Sequence, residues 1–262
     1  MIGSVIIFSR RVEVGRGPDE PGARRQASAT ARRPRGTSQE PAESFTDVDT
    51  LLPLAISQPQ AALAIALDML ATGSEPRELS IAHQAAAIVH RDRGQLDDAL
   101  DHGRRALRLA RRVDAARQGD ILATLGVVLL LAGHTTQSLH RFEEAVRLTP
   151  LHQLPRLFHR RGAVLLTLSR HAQALEDLSR AVSGCHELGD TLWEGRALNA
   201  RCMAHLAQGD VDAADADAAR AEALLTSIGQ EFEAAQALHN RALAAHQRGD
   251  LPRTLAILDS VT

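Results

Sequence analysis

Two cysteines and twelve histidines are the side chains in this 262-residue sequence with the most chemistry to offer. A thiolate beside an imidazole would supply a nucleophile and a general base. Cys202, however, falls in a slot that small residues fill in every copy of an internal repeat described below, so its position predicts a buried structural thiol. Cys185 lies near the end of a predicted helix with nothing to activate it. His152/His159 and His239/His246 are i, i+7 pairs that could each share a helix face. With no HExxH, His-x3-His or CxxC among them, they predict packed or solvated imidazoles and no metal site. Neither GxxxxGK[ST] nor GxGxxG occurs, so nucleotide binding has no support. No catalytic residue and no cofactor are predicted, and the chain reads as a non-enzyme.

The elements that must carry these side chains are helical. Ala and Leu dominate the sequence, and both are strong helix formers. Aromatic residues make up only 2%, which disfavours a sheet protein, and the composition predicts an all-α fold. All the basic residues are Arg, and the net charge of −2 gives no global pull toward nucleic acid. No apolar run approaches the roughly 18 residues of a membrane span. The apolar segment Val5–Phe8 is short, and Arg10-Arg11 follows it, whereas a secretory signal carries its charge first. Two cysteines are too few for a disulfide framework. Together these features predict a cytoplasmic protein with neither nucleic-acid nor membrane partners.

Residues 1–46 hold eight arginines, five acids and four of the ten prolines, with no apolar period. Such a segment cannot bury enough surface to offset its ordering entropy, so a disordered tail is expected. Residues 47–75 are expected to form an N-terminal capping region around a helix at 59–72, bounded by Pro59 and Gly73.

From residue 76 to 262 the sequence repeats itself. Segments beginning at Gly94, Gly133, Ser169, Gly209 and Gly249 resemble one another at spacings of 36 to 40 residues. Seven residues before each anchor stands a small residue: Ala87, Gly126, Gly162, Cys202 and Ala242. Five after it stand Ala99, Ser138, Ala174, Ala214 and Thr254, and twelve after it Ala106, Ala145, Ala181, Ala221 and Val261. Small residues at these offsets let two helices approach across a tight turn, and an anchor Gly can take φ > 0 to end the first helix. The 3.6-residue period predicts first helices at 76–93, 115–132, 153–168, 190–208 and 231–248. Second helices are predicted at 95–112, 135–148, 171–187, 211–227 and 251–262, with Asp210 and Asp250 as N-caps.

This pattern resembles the tetratricopeptide repeat (TPR). The second copy carries it best, with Leu122, Leu125-Gly126, Leu129, Gly133, Phe142, Ala145 and Pro150. The resemblance implies an α-α superhelical solenoid of about five helix pairs and a protein-binding role. A narrower resemblance rests on residues 190–201, Arg220–Leu225, His239-Asn240-Arg241 and Arg248–Pro252. These stretches look like the N-terminal TPR arm of actinobacterial CHAT-domain proteins, a family in which a caspase-like peptidase domain follows the arm. Ala200 and Arg241-Ala242 depart from the Asn and Leu-Gly of that pattern. The resemblance implies a recognition arm whose catalytic pair would lie beyond residue 262. A TPR arm of a transcriptional or signalling regulator is the alternative.

A TPR solenoid lines its concave face with first helices. The inward slots lie nine, ten and thirteen residues before each anchor. In the second copy these are Asp120, Ala123 and Thr124. In the third they are Arg156, His159 and Arg160; in the fourth, Arg196, Asn199 and Ala200; in the fifth, Gln236, His239 and Asn240. Polar donors with few acids among them predict a groove for an acidic protein or peptide segment. The last helix shows Leu251, Leu255, Leu258 and Val261 along one stripe, which predicts an exposed apolar edge and self-association through that helix.

Overall fold

The computed structural model describes residues 48–259. The expected disordered tail, 1–46, and Val261 lie outside the described residues. A 3-10 turn, Val48–Thr50, leads into twelve α-helices. The first two are α1 (Leu51–Ser57) and α2 (Pro59–Thr72). Five antiparallel pairs follow: α3 (Pro76–Asp92) with α4 (Leu96–Ala110), α5 (Ala115–Leu131) with α6 (Thr135–Leu148), and α7 (Leu154–Thr167) with α8 (His171–Glu187). The last two are α9 (Thr191–Gln208) with α10 (Val211–Ser227), and α11 (Glu231–Arg248) with α12 (Leu251–Asp259). No described residue is in a strand, and the fold is a TPR-like α-solenoid. None of the described helices is long and apolar enough to cross a membrane.

First helices pack on one another in succession, α3 to α5 to α7 to α9 to α11, whereas second helices reach one another through side chains, such as Arg253 of α12 to Asp215 of α10 at 2.7 Å. The first helices therefore form the inner layer and the second helices splay outward. The sequence pattern accounts for the closeness within each pair. A Cβ on Gly126 would stand 2.8 Å from the fully buried ring of Phe142, so only Gly lets α5 and α6 close on that ring. The Ser138 hydroxyl donates to the Gly126 carbonyl at 2.7 Å across the same gap. Ala99, Ala106, Ala174, Ala181, Ala214 and Ala221 are all buried at their repeated offsets.

The turns follow the anchors. Gly94, Gly133, Gly209 and Gly249 all take left-handed φ values between 74° and 85°. The third anchor is Ser169, held at φ 56°, and no described residue hydrogen-bonds its side chain to offset the strain. Left-handed backbone costs a residue with a Cβ about 1 kcal/mol or more. Ser169→Gly should thus stabilise the fold by about 1 kcal/mol, seen as a raised urea midpoint. Asp210 and Asp250 accept from the N–H groups of Ala213 and Arg253, both at 3.1 Å, capping α10 and α12.

Three features depart from the sequence expectation. Helix 59–72 has a short partner, α1, which packs on both α2 and α3, so two helices precede the first repeated pair. Paired charges also span the helix pairs. Arg161 forms a two-bond clamp with Asp177 (2.6 and 2.7 Å), and Arg201 forms the same clamp with Asp217 (2.7 Å for both bonds). In the last pair the equivalent of Asp217 is Ile257, and Arg241 turns to Glu222 on α10 at 2.7 Å. Finally, the packed face of α12 is not the leucine stripe. Ile257 is its buried residue, set against Ala242 and Ala245, while Leu251, Leu255 and Leu258 are 57%, 61% and 41% exposed.

Candidate functional site

The inward residues of the third and fourth pairs converge on one ring. Trp193, two residues into α9, takes three guanidinium groups over its face. Arg156 and Arg160 reach it from α7, at 5.6 and 5.4 Å from the ring centroid, and Arg196 from its own helix at 5.1 Å. His159 meets the ring edge-on at 5.4 Å. The aromatic quadrupole attracts the cations, and the ring surface desolvates them.

The three arginines differ in how their charge is met. Arg156 Nη2 lies 2.6 Å from Asp190, whose carboxylate also caps α9. Arg196 Nη2 lies 2.7 Å from Glu233 of α11. Arg160 makes no side-chain hydrogen bond or ion pair with any described residue. Burial pushes its guanidinium below its ordinary value, Arg91, Arg156 and Arg196 add to that, and Asp120 opposes it. Burial also holds His159 down to about 3, helped by Arg160 and Arg196, so this imidazole is neutral. Among the described residues its buried Nδ1 has no hydrogen-bond partner.

Arg160 opens into a cavity of about 620 Å³. Asp120, Ala123 and Thr149 line it from the second pair and its exit, with Arg156, Leu157 and Arg160 from α7. Leu188 and Asp190, from the turn before α9, close the rim.

The structure thus gathers four of the sequence-predicted residues, Arg156, His159, Arg160 and Arg196, and sets the others apart. Asn199 is buried, donating to the Glu233 carbonyl at 3.1 Å and accepting from Asn240 at 3.3 Å. Asn240 is buried too, so this pair holds α9 to α11 and lines no open groove. Thr124 plays the matching part in the first pairs, accepting from Gln84 at 2.8 Å. Gln236 is half-buried on α11, and His239 is exposed on the same helix, outside the cavity lining. The expectation of few acids in the groove needs correcting, because Asp190 and Glu233 neutralise two of its three arginines.

Neither cysteine takes part. Cys202 and Cys185 are buried, and burial pushes their thiols up to about 12 and about 11, respectively. Such thiols are not nucleophiles near neutral pH. Among the described residues no group of His, Cys, Asp or Glu side chains is arranged to hold a metal.

Residues 77–150, which span the α3/α4 and α5/α6 pairs, match the tetratricopeptide repeat family model. These two helix pairs are the part of the chain that resembles tetratricopeptide repeats in sequence. The repeat fold extends well past them in comparisons with solved structures. BtubC from P. vanneervenii shares it at a TM-score of 0.66 and 16% identity, over 82% of this chain and 90% of that one. YrrB, described as a TPR protein with an unusual peptide-binding site, aligns at 0.52 and 21% identity, over 75% of this chain and 90% of that one. A Rap protein complexed with Competence and Sporulation Factor aligns at 0.64 and 15% identity, over 82% of this chain and 60% of that one. No curated protein matches the chain in sequence.

Proposed function

We propose that the chain is a protein–protein interaction scaffold whose inner face binds an acidic polypeptide segment. We propose further that it serves as the recognition arm of a CHAT-type peptidase system and does no chemistry itself. The observation that carries the binding role is Arg160, a partly buried guanidinium stacked on Trp193, facing a cavity, with no carboxylate of its own. An unmet charge in such a place costs desolvation energy that a ligand carboxylate returns. The cavity is large enough for a short polypeptide segment, and Leu157 and Leu188 give an apolar neighbour to the acid. Two structural neighbours are named for peptide binding or shown with a bound factor, so a peptide is a ligand class that this fold accommodates. The CHAT association is supported by residues 190–201, which contribute Trp193 and Arg196 to this site, and by Arg248–Pro252 outside it. The outward leucines of α12 support self-association through that helix.

The binding test uses a library of acidic peptides against the full chain. For the tightest peptide, Arg160→Gln should weaken binding about tenfold or more, the scale of one lost charge-assisted hydrogen bond. Arg156→Ala should weaken binding as well, because it leaves the Asp190 carboxylate unpaired at the rim, where it repels an acidic ligand. Added salt should weaken binding through the on-rate. Equal affinity of wild type and Arg160→Gln for every peptide would sink this assignment. Co-purification of a caspase-like peptidase with the tagged chain tests the CHAT association.

A further inference from the structure

The outer helix of the first repeat carries a charge pattern that the inner-face site leaves unused. Asp97, Asp98 and Asp101 occupy the N-terminal half of α4. Arg104, Arg105 and Arg108 occupy the rest, and Arg111 and Arg112 stand in the turn that follows. All five arginines are exposed. Arg104 pairs with Asp101 at 3.3 Å. Arg105, Arg108, Arg111 and Arg112 make no side-chain hydrogen bond or ion pair with any described residue.

The spacing i, i+1, i+4, i+7, i+8 puts these charges on one face. Cations in the last turn of a helix complement its dipole, which accounts for Arg108 alone within α4. Arg104 and Arg105 lie earlier, and like charges three and four residues apart repel. The fold itself therefore does not explain the cluster. Beneath it, the Nδ1 atoms of His83 and His102 are 3.0 Å apart, and the His90 ring stacks on His102 at 5.4 Å. Burial, then His102, Arg105 and Arg108, hold His83 down to about 4. On His102 the same burial, with His90 and Arg105, outweighs the pull of Asp98 and Asp101. The arginine field thus reaches the helix pair without being cancelled.

The surroundings narrow the partner. No large apolar side chain between Leu67 and Leu151 is exposed, so this face has no wedge for a bilayer and no hydrophobic anchor. No Phe, Trp or Tyr lies in α4 for base stacking, and the His102 ring is already stacked on His90. The arginines span about 12 Å of helix, bracketed by Asp97, Asp98 and Asp101 before and Asp114 after. A duplex or a membrane surface laid along α4 would set its own negative charge over those aspartates. A short acidic stretch would not, since four extended residues cover about 13 Å. We infer that the C-terminal half of α4 is a second docking face, separate from the inner-face site, for a short acidic segment of a partner protein.

The test uses the full chain carrying Arg160→Gln, which weakens the inner face, and labelled hexaglutamate as the probe at low salt. Binding is expected to persist in that background. Adding Arg104→Gln, Arg105→Gln and Arg108→Gln should weaken it about tenfold, the combined scale of three exposed ion pairs. Lysine at the same three positions should restore it. Helical circular dichroism confirms that the surface variants stay folded. The inference is overturned if the triple glutamine variant binds hexaglutamate as before. It is also overturned if duplex DNA or anionic phosphatidylserine vesicles bind these arginines more tightly than the peptide does.

Discussion

Replacing Arg161 by Ala should lower stability by about 3 kcal/mol, and replacing its partner Asp177 by Ala by about 2 kcal/mol. The asymmetry follows from what each change strands. Asp177 is 4% exposed, so without Arg161 its carboxylate is left in a dry contact between α7 and α8. Arg161 keeps 18% exposure and can swing part of its guanidinium to water when Asp177 is gone. The side-chain hydrogen bond to Asp177 outweighs burial in setting the Arg161 guanidinium, which is raised from its ordinary value. Removing both partners with apolar residues of similar volume should cost less than either single change, because no charge is then stranded. Urea unfolding of the four proteins checks this. A double variant whose loss equals the sum of the two singles would show that the clamp carries no coupling.

Acid should destabilise the fold well before its carboxylates are protonated. His159 and His83 are held down to about 3 and about 4, against 6.5 in the unfolded chain. Below pH 6.5 the unfolded state therefore binds protons that the folded state refuses. Stability is full above pH 6.5 and is lost as pH falls toward 4. Each such group contributes a slope of up to about 1.4 kcal/mol per pH unit within this window, and partial exposure reduces it. We expect a loss of about 3 kcal/mol between pH 6.5 and pH 4.5 from the two together. His159→Phe keeps a ring against Trp193 and should roughly halve the slope. A wild-type unfolding midpoint that stays flat from pH 7 to 4.5 would contradict the burial of both imidazoles.

Much of the architecture was legible in the sequence. Left-handed glycines end the first helices of four of the five pairs, and repeated alanines mark the contacts, so the observed boundaries fall within about two residues of those expected; the expected end of the last helix lies outside the described residues. Helix α1 was not legible, because seven residues containing Pro53 have no helical stability of their own and form only against α2 and α3. The site was half legible. Counting from the anchors found Arg156, His159, Arg160 and Arg196, since side-chain direction on a helix follows its period. It missed Asp190 and Glu233, which sit 34 and 37 residues after the arginines they neutralise. Those separations are close to one repeat length, so pairing charges one repeat apart would have found them. It also passed over Trp193 as a binding residue, although a single Trp in a chain this poor in aromatics was itself a signal. The Arg161 and Arg201 clamps were available in the same way, as Arg eight residues before an anchor and Asp eight after it. Burial of Asn199 and Asn240 was not available, because it depends on how closely α9 and α11 approach.

The chain's only Trp stands at the centre of the proposed site, so its emission reports directly on the inner face. The decisive measurement is a titration of Trp193 fluorescence with the tightest acidic peptide, at low and high salt, in wild type and Arg160→Gln. A saturable change in emission is predicted for wild type, moving to higher peptide concentration with salt and by about tenfold in the variant. Binding that is tight by calorimetry but leaves Trp193 emission unchanged would place the ligand elsewhere and contradict the account.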